Sequence, residues 1–352
     1  MTFRILLPAL SVVLLLPLNL LAKCPISPNG TLELRAPAGN LKVKTSGTDS
    51  VEVQVSNRQV VVQETCGRDV VTVTAKAPPN IGIPDWSILV PRGITLDLST
   101  QGGNIQVEDT DGREALLRTS GGKVTAGNIK GNALIMANEV RITGKIGGNA
   151  ELRGSGGRLQ VGDVGGNALF VTTGGDITTG AIRGQVKAES GSGSITIRES
   201  NGDVIVTTKE GDITSDYVHG SFDGKTESGN IRLEKVGSSV HALTVVGDIF
   251  FRLVPEKPNG DVRIKAEASR LGNITMFLPS KMKATVVAIV EKPALGVKGI
   301  FSDFPLNPVG AIRSLVPGGP ERQRAVINGG GANVFDVHTS AGKIEIRDLD
   351  GN

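Results

Sequence analysis

A glycine, one variable residue and an apolar residue recur every nine positions through the middle of this chain. The apolar members are Ala150, Leu159, Ala168, Ile177, Val186, Ile195, Val204, Ile213, Phe222, Ile231, Val240 and Ile249. Ala115, Val124 and Ala133 keep the same step upstream, which then slips near Val140. A unit this short cannot bury its own apolar face. A fixed period of such units therefore implies stacking of one unit on the next. Alternate units differ, so the true repeat is a pair of units. One half carries Gly157, Gly175, Gly193, Gly211, Gly229 and Gly247; the other carries Gly148, Gly166, Gly184, Gly202 and Gly220, then Ser238. A hydroxyl column, Thr172, Ser190, Thr208, Thr226 and Thr244, keeps the resulting 18-residue spacing. Each half supplies a short strand with alternating inward residues, such as Ile195 and Ile197 or Val204 and Val206. The glycine supplies backbone freedom for the reversal.

The pattern predicts an all-β fold: a parallel β-solenoid, or β-helix, with 18-residue coils made of two nine-residue strand–turn units. Coils stacked at the ordinary strand spacing of ~4.8 Å would make the eight coils between Ile105 and Ile249 ~38 Å long. A right-handed coil is expected by analogy with other nine-residue rolls. Large and small residues offset one another, Phe170 after Ala168 and Gly224 after Phe222, as a narrow close-packed core requires. An antiparallel sandwich of hairpins is the competing fold, but it would not hold constant 18-residue columns. The six-residue beat of acyltransferase-type β-helices is absent: Arg183 and Asn201 stand six after Ile177 and Ile195.

Composition agrees. Glycine is 47 of 352 residues, about twice the usual ~7%, and aromatics are only 3%. No long segment carries helical periodicity. The opening "MTFRILLPALSVVLLLPLNLLA" has one Arg before an apolar run that ends in Ala22, the form of a secretory signal peptide over residues 1–22. A retained anchor is the alternative, but Pro8 and Pro17 interrupt a run already short for a span. Lys23 before Cys24 disfavours a lipoprotein. Cleavage would remove Arg4 and lower the net charge of +3 by one, leaving no stable transmembrane segment and no electrostatic case for nucleic acid. Two cysteines in an exported chain point to a Cys24–Cys66 disulfide, with two buried free thiols as the alternative.

No linker composition divides residues 23–352, which read as one elongated domain. Residues 23–98 hold less regular strands, 99–251 the regular repeats, and 252–352 further strands around a Pro-containing loop at 291–323. The stretches "ILVPRGITLDLSTQGGNIQVEDTDG" (88–112), "FSDFP" (301–305) and "INGGGANVFDVHTSAGKIEIR" (327–347), in that order around the Gly-[Asp/Asn]-Ile coils, resemble a bacterial putative-adhesin family. It is a β-strand-repeat domain of unknown function similar to the head-GIN adhesin domains. The resemblance implies a β-solenoid in the cell envelope with a non-enzymatic role in adhesion, envelope sensing or scaffolding, and it transfers no catalytic residue.

The search for chemistry is largely negative. Asp176, Asp212 and Asp248 lie two coils, ~10 Å, apart. They cannot share a calcium ion that needs oxygens at ~2.3–2.6 Å, and turn capping is the expected role. The hydroxyl column continues the inward alternation and is expected to bond turn backbone rather than face a ligand. His219, His241 and His338 are not one coil apart and lack a nearby Cys or Glu pattern, so no metal motif is present. No metal, cofactor or catalytic residue is assigned. The loop at 291–323 offers Phe301, Phe304 and Leu306 as candidate partner-docking residues, with an end cap as the alternative. The expected function is a non-catalytic exported protein, periplasmic, surface-bound or secreted. It would bind an envelope protein or a cell-surface glycan, without a cofactor. The alternative is a β-helix enzyme acting on polysaccharide, which would need carboxylates converging in a groove.

Overall fold

The computed structural model describes residues 20–78, 82–256, 261–293, 298–308, 319–331 and 333–351. All regular structure among them is β-strand. Two parallel sheets face each other across a core of Val, Ile, Leu and Ala. In one coil, Ile177, Thr179, Ile182, Val186, Ala188 and Ser190 point inward and are buried. The first two sit on one sheet and the last three on the other. Ile182 stands at the corner, where Thr110, Ile129, Ile146, Val164 and Ile182 form a third, narrow ladder.

Register follows the sequence period. Ala150, Ala168, Val186, Val204, Phe222 and Val240 pair successively at 18-residue steps. Ile177, Ile195, Ile213, Ile231 and Ile249 do so on the facing sheet. The slip near Val140 is a short step from Val124 to Val140 followed by a long one from Val140 to Leu159, with a net loss of one residue that the facing sheet takes between Ala133 and Ala150.

Glycine in the repeat serves a different need from the one expected. Gly193, Gly211 and Gly229 are not left-handed. A Cβ on any of them would meet the carbonyl of the glycine one coil earlier, at 2.2–2.3 Å. They stack backbone on backbone, and the beat records close approach rather than freedom to turn. The hydroxyl column does bond turn backbone. Ser190, Thr208, Thr226 and Thr244 donate to the carbonyls of Gly175, Gly193, Gly211 and Gly229 at 2.9–3.0 Å. Thr100, Thr119 and Thr339 make the same bond in the flanking coils.

The two ends are not read in chain order. The coil made by Thr31–Ala36 and Asn40–Ser46 lies between the coil of Val70–Lys76 and Asp85–Pro91 and the coil of Thr95–Thr100 and Ile105–Val107. At the other end, Asn333–Thr339 and Ile344–Asp348 lie between Ile264–Leu271 with Ile274–Leu278 and Ala284–Val290 with Ile300–Ser302. Antiparallel strands close both ends: Leu20–Pro25, Ser50–Val55 and Val61–Cys66 at one, Glu321–Ile327 and Leu306–Pro308 at the other. The leader proposed for residues 1–22 falls, through residue 19, outside the described residues.

Candidate functional site

Ten aromatic side chains lie in the described residues, and they divide cleanly. Trp86, Phe170, Phe222, Phe251 and Phe335 are core. Tyr217, Phe250, Phe277, Phe301 and Phe304 are half-buried; the first four lie on strands of the C-terminal half of one sheet, while Phe304 follows the last of these strands and packs against the core. They sit at or just beyond the outward positions of strands whose inward partners are Ile213, Ile231, Leu233, Ile249, Phe251, Ile274 and Met276. Strand alternation thus gives one sequence a buried apolar side and a displayed aromatic side.

The displayed side is ordered by cations. Register places Phe250 beside Arg232, and Phe277 beside Arg252 on one flank and Arg347 on the other. The Arg232 guanidinium lies 4.4 Å from the Phe250 ring centre. That of Arg252 lies 4.8 Å from Phe250 and 5.1 Å from Phe277. The two rings are tilted with centroids 5.7 Å apart. Glu234 holds both Arg232 and Arg252. Arg347 is held by Glu345 at 2.9 Å and Asp303 at 3.2 Å. Lys298 stands over Phe301. Six strands, from Ile213–Val218 to Ile300–Ser302, carry this band across ~24 Å. Guanidinium stacked on rings and fixed by carboxylates is a preorganised surface, since little side-chain freedom remains to be lost on binding.

At the edge of the band, His219 bridges two carboxylates from different coils. Nδ1 lies 2.5 Å from Glu256 and Nε2 3.1 Å from Glu199. The imidazole stacks on Tyr217 with centroids 3.8 Å apart. Burial alone would lower the His219 pKa, but the hydrogen bonds to Glu256 and Glu199, with their charges, outweigh it and raise the value above the ordinary histidine range. Burial, followed by the same two charges, raises the Tyr217 phenol. The absence of a carboxylate pattern around the histidines is therefore corrected. His241 meets Asp223, one coil earlier, at 3.1 Å, and His338 meets Glu291 at 3.1 Å. The His241 pair is legible as an 18-residue spacing; the other two involve corner excursions that carry no period.

The residues singled out from sequence are distributed as follows. Cys24 and Cys66 are joined, with Cα atoms 5.3 Å apart, so the end strand of one sheet is tied to the end strand of the other. Phe304 and Leu306 are packed against the core, while Phe301 stands in the displayed column, opposite Glu345. Residues 294–297 and 309–318 of the same loop lie outside the described residues. Asp176, Asp212 and Asp248 accept backbone N–H groups from Ser194, Asn230 and Asn273, one coil on, at 2.7–3.0 Å. Glu199 and Glu256 come together around His219, and Glu234 is held between two arginines, whereas Asp203, Asp223 and Asp336 line an open cavity on the other sheet together with His241. Among the described residues there is no cluster of metal-ligating side chains, and no helix is long and apolar enough to cross a membrane.

Comparison with curated proteins returns no match. Among solved structures, one similar chain is described as a "putative cell adhesion protein" from Clostridium sporogenes ATCC 15579. The likeness runs at 11% identity over 93% of this chain and 97% of that one, with a TM-score of 0.19, which is too low to establish a shared fold. The family comparison is decisive: residues 29–283 match the Toastrack DUF4097 domain, a domain of unknown function, and the chain belongs to that family.

Proposed function

We propose that this chain is a non-catalytic, exported cell-envelope protein whose solenoid face binds or scaffolds another envelope component. The observation that carries the reading is the confinement of the four half-buried strand aromatics, Tyr217, Phe250, Phe277 and Phe301, to one half of one face, with arginines interleaved around Phe250 and Phe277. A chain with 3% aromatics that needed them only for packing would have no reason to set four of the ten described ones on one outer surface. The apolar leader and the Cys24–Cys66 staple support export. On the aromatic face, the pairing of Glu234 with both Arg232 and Arg252 supports a binding role for that face over polysaccharide cleavage.

The test uses the mature chain, residues 23–352, immobilised and exposed to fractionated envelope. It is compared with Phe250→Ser/Phe277→Ser and with a control on the opposite sheet, Ile205→Ser. Retention of one component by the wild type and the control, reduced at least tenfold by the double variant, is expected. Equal retention by all three proteins would remove the face from the proposal. Cleavage of a retained polymer that Glu234→Gln abolished would replace it with a catalytic one.

A further inference from the structure

The bridge centred on His219 does more than fill a corner. A neutral imidazole has one N–H and one lone pair, so it can donate to one carboxylate only. Both ring nitrogens of His219 face carboxylate oxygens, at 2.5 Å and 3.1 Å. Only the imidazolium satisfies both. The charged and titratable groups that face it are Glu199 from Ile195–Ser200, Tyr217 from Ile213–Val218, Lys235 from Ile231–Val236 and Glu256 beyond Ile249–Leu253. Lys235 reaches the cluster through the Tyr217 ring, 5.8 Å from its centroid. The chain around Glu256 is also the place where the repeat is enlarged: Val240 pairs with Ile264, a longer step than the one from Phe222 to Val240. Among the described residues, two backbone bonds tie the start of this excursion down, Val254 N–H to Val236 and Glu256 N–H to Gly237, at 2.8 Å and 3.3 Å. The His219–Glu256 contact is its side-chain tether.

We propose that Glu199, His219 and Glu256 form a proton-dependent latch that fastens the 254–256 excursion to the corner of the solenoid and, through the stacked Tyr217, fixes the margin of the displayed face. The sign follows from chemistry. The latch is closed while His219 is protonated. Because the two carboxylates favour the charged ring, its stabilisation is complete below the unfolded-state pKa of ~6.5 and is lost as pH rises through the higher folded value. One carboxylate is then left facing a lone pair, and the excursion is released. The latch operates whether or not the aromatic band binds a partner.

The test is hydrogen exchange of the Glu256 amide, corrected for intrinsic rate, in the mature chain between pH 5.5 and 8.5. It is paired with carbon-13 NMR titration of the three histidines, assigned with His241→Gln and His338→Gln. His219 is expected to titrate above the ordinary histidine value. Opening at Glu256 is expected to increase about tenfold across the titration of His219, as the loss of one charge-assisted hydrogen bond implies. His219→Gln should show the open-state rate at every pH, and Glu199→Gln should lower the transition pH while keeping Glu256 tethered. A Glu256 amide whose corrected opening is the same at both ends of the range would overturn the latch, as would the same pH dependence in His219→Gln.

Discussion

Phe222 and Gly224 occupy one inward face of a single strand, and neither residue fits without the other. A Cβ added to Gly224 would lie 2.3 Å from Phe222 Cζ and 2.4 Å from Cε1, with Val206 Cγ2 at 3.3 Å on the other side. Ordinary carbon contacts begin near 3.4 Å, so the ring must retreat by about 1 Å. It has nowhere to go, because the Phe222 side chain is only 1% exposed. Overpacking of this kind costs about 1–3 kcal/mol, and Gly224→Ala is expected within that range. Phe222→Val alone leaves a void and costs about 2–4 kcal/mol, somewhat less than truncation to Ala. The double variant installs Val-x-Ala, the pair that already fills these positions in the coils of Val186 with Ala188 and Val240 with Ala242. Its destabilisation should fall short of the sum of the single variants by about 1–2 kcal/mol. Equilibrium urea unfolding followed by far-ultraviolet circular dichroism, at unchanged m-value, measures the cycle. A neutral Gly224→Ala, or additivity of the two changes within about 0.5 kcal/mol, would refute the idea that core volume is balanced residue by residue along a strand.

Other outcomes are equally specific. Thr226→Val keeps the shape of a buried side chain but strips the donor from the Gly211 carbonyl, and should cost about 1–2 kcal/mol in the same unfolding assay. Ser215 points a buried hydroxyl with no partner into the core, so Ser215→Ala should be neutral or stabilising. Gly211→Ala, which would drive a Cβ to 2.3 Å from the Gly193 carbonyl, should cost more than about 3 kcal/mol or prevent folding, as judged by soluble yield and circular dichroism. Reduction of Cys24–Cys66, with a sequence separation of 42, should remove up to about 4 kcal/mol from the N-terminal end. The fluorescence of Trp86, buried in that end and the only tryptophan of the chain, would report the loss as a lower denaturant midpoint.

What was legible in the sequence was whatever repeats. The Ile and Val columns, the hydroxyl column and the Asp positions each recur at a fixed step, and each step maps onto a ladder between adjacent coils. The glycines were visible for the same reason, but their cause was not. Backbone freedom and backbone contact both select glycine, and only coordinates separate Gly193, stacked on Gly175, from Gly93, which has a left-handed φ and no close backbone contact, and from Gly247, which combines a positive φ with a stack on Gly229. The aromatic–arginine band was hidden because its members interrupt the outward Thr178, Thr196 and Thr214 column. Arg232 and Phe250 end that column, and they look like noise until the register sets them side by side. Glu256 could not be linked to His219 at all, since it lies in the excursion that breaks the period. The order of the end coils was equally closed to reading: Ile264 pairs with Phe335, across a long stretch of chain that carries no shared beat.

Those interleaved ends change how the rod responds to force. In a linear stack the outermost unit has one neighbour and frays first. Here a pull applied beyond Asp348 acts on strands with a neighbour on each side, Ile274–Leu278 and Ile300–Ser302. The load enters as shear across two ladders at once instead of peeling one strand at a time. The same arrangement sets an assembly order. Ala284–Val290 cannot reach its final seat until Asn333–Thr339 has been laid down beneath it, so this strand must wait for chain well downstream of it to leave the ribosome.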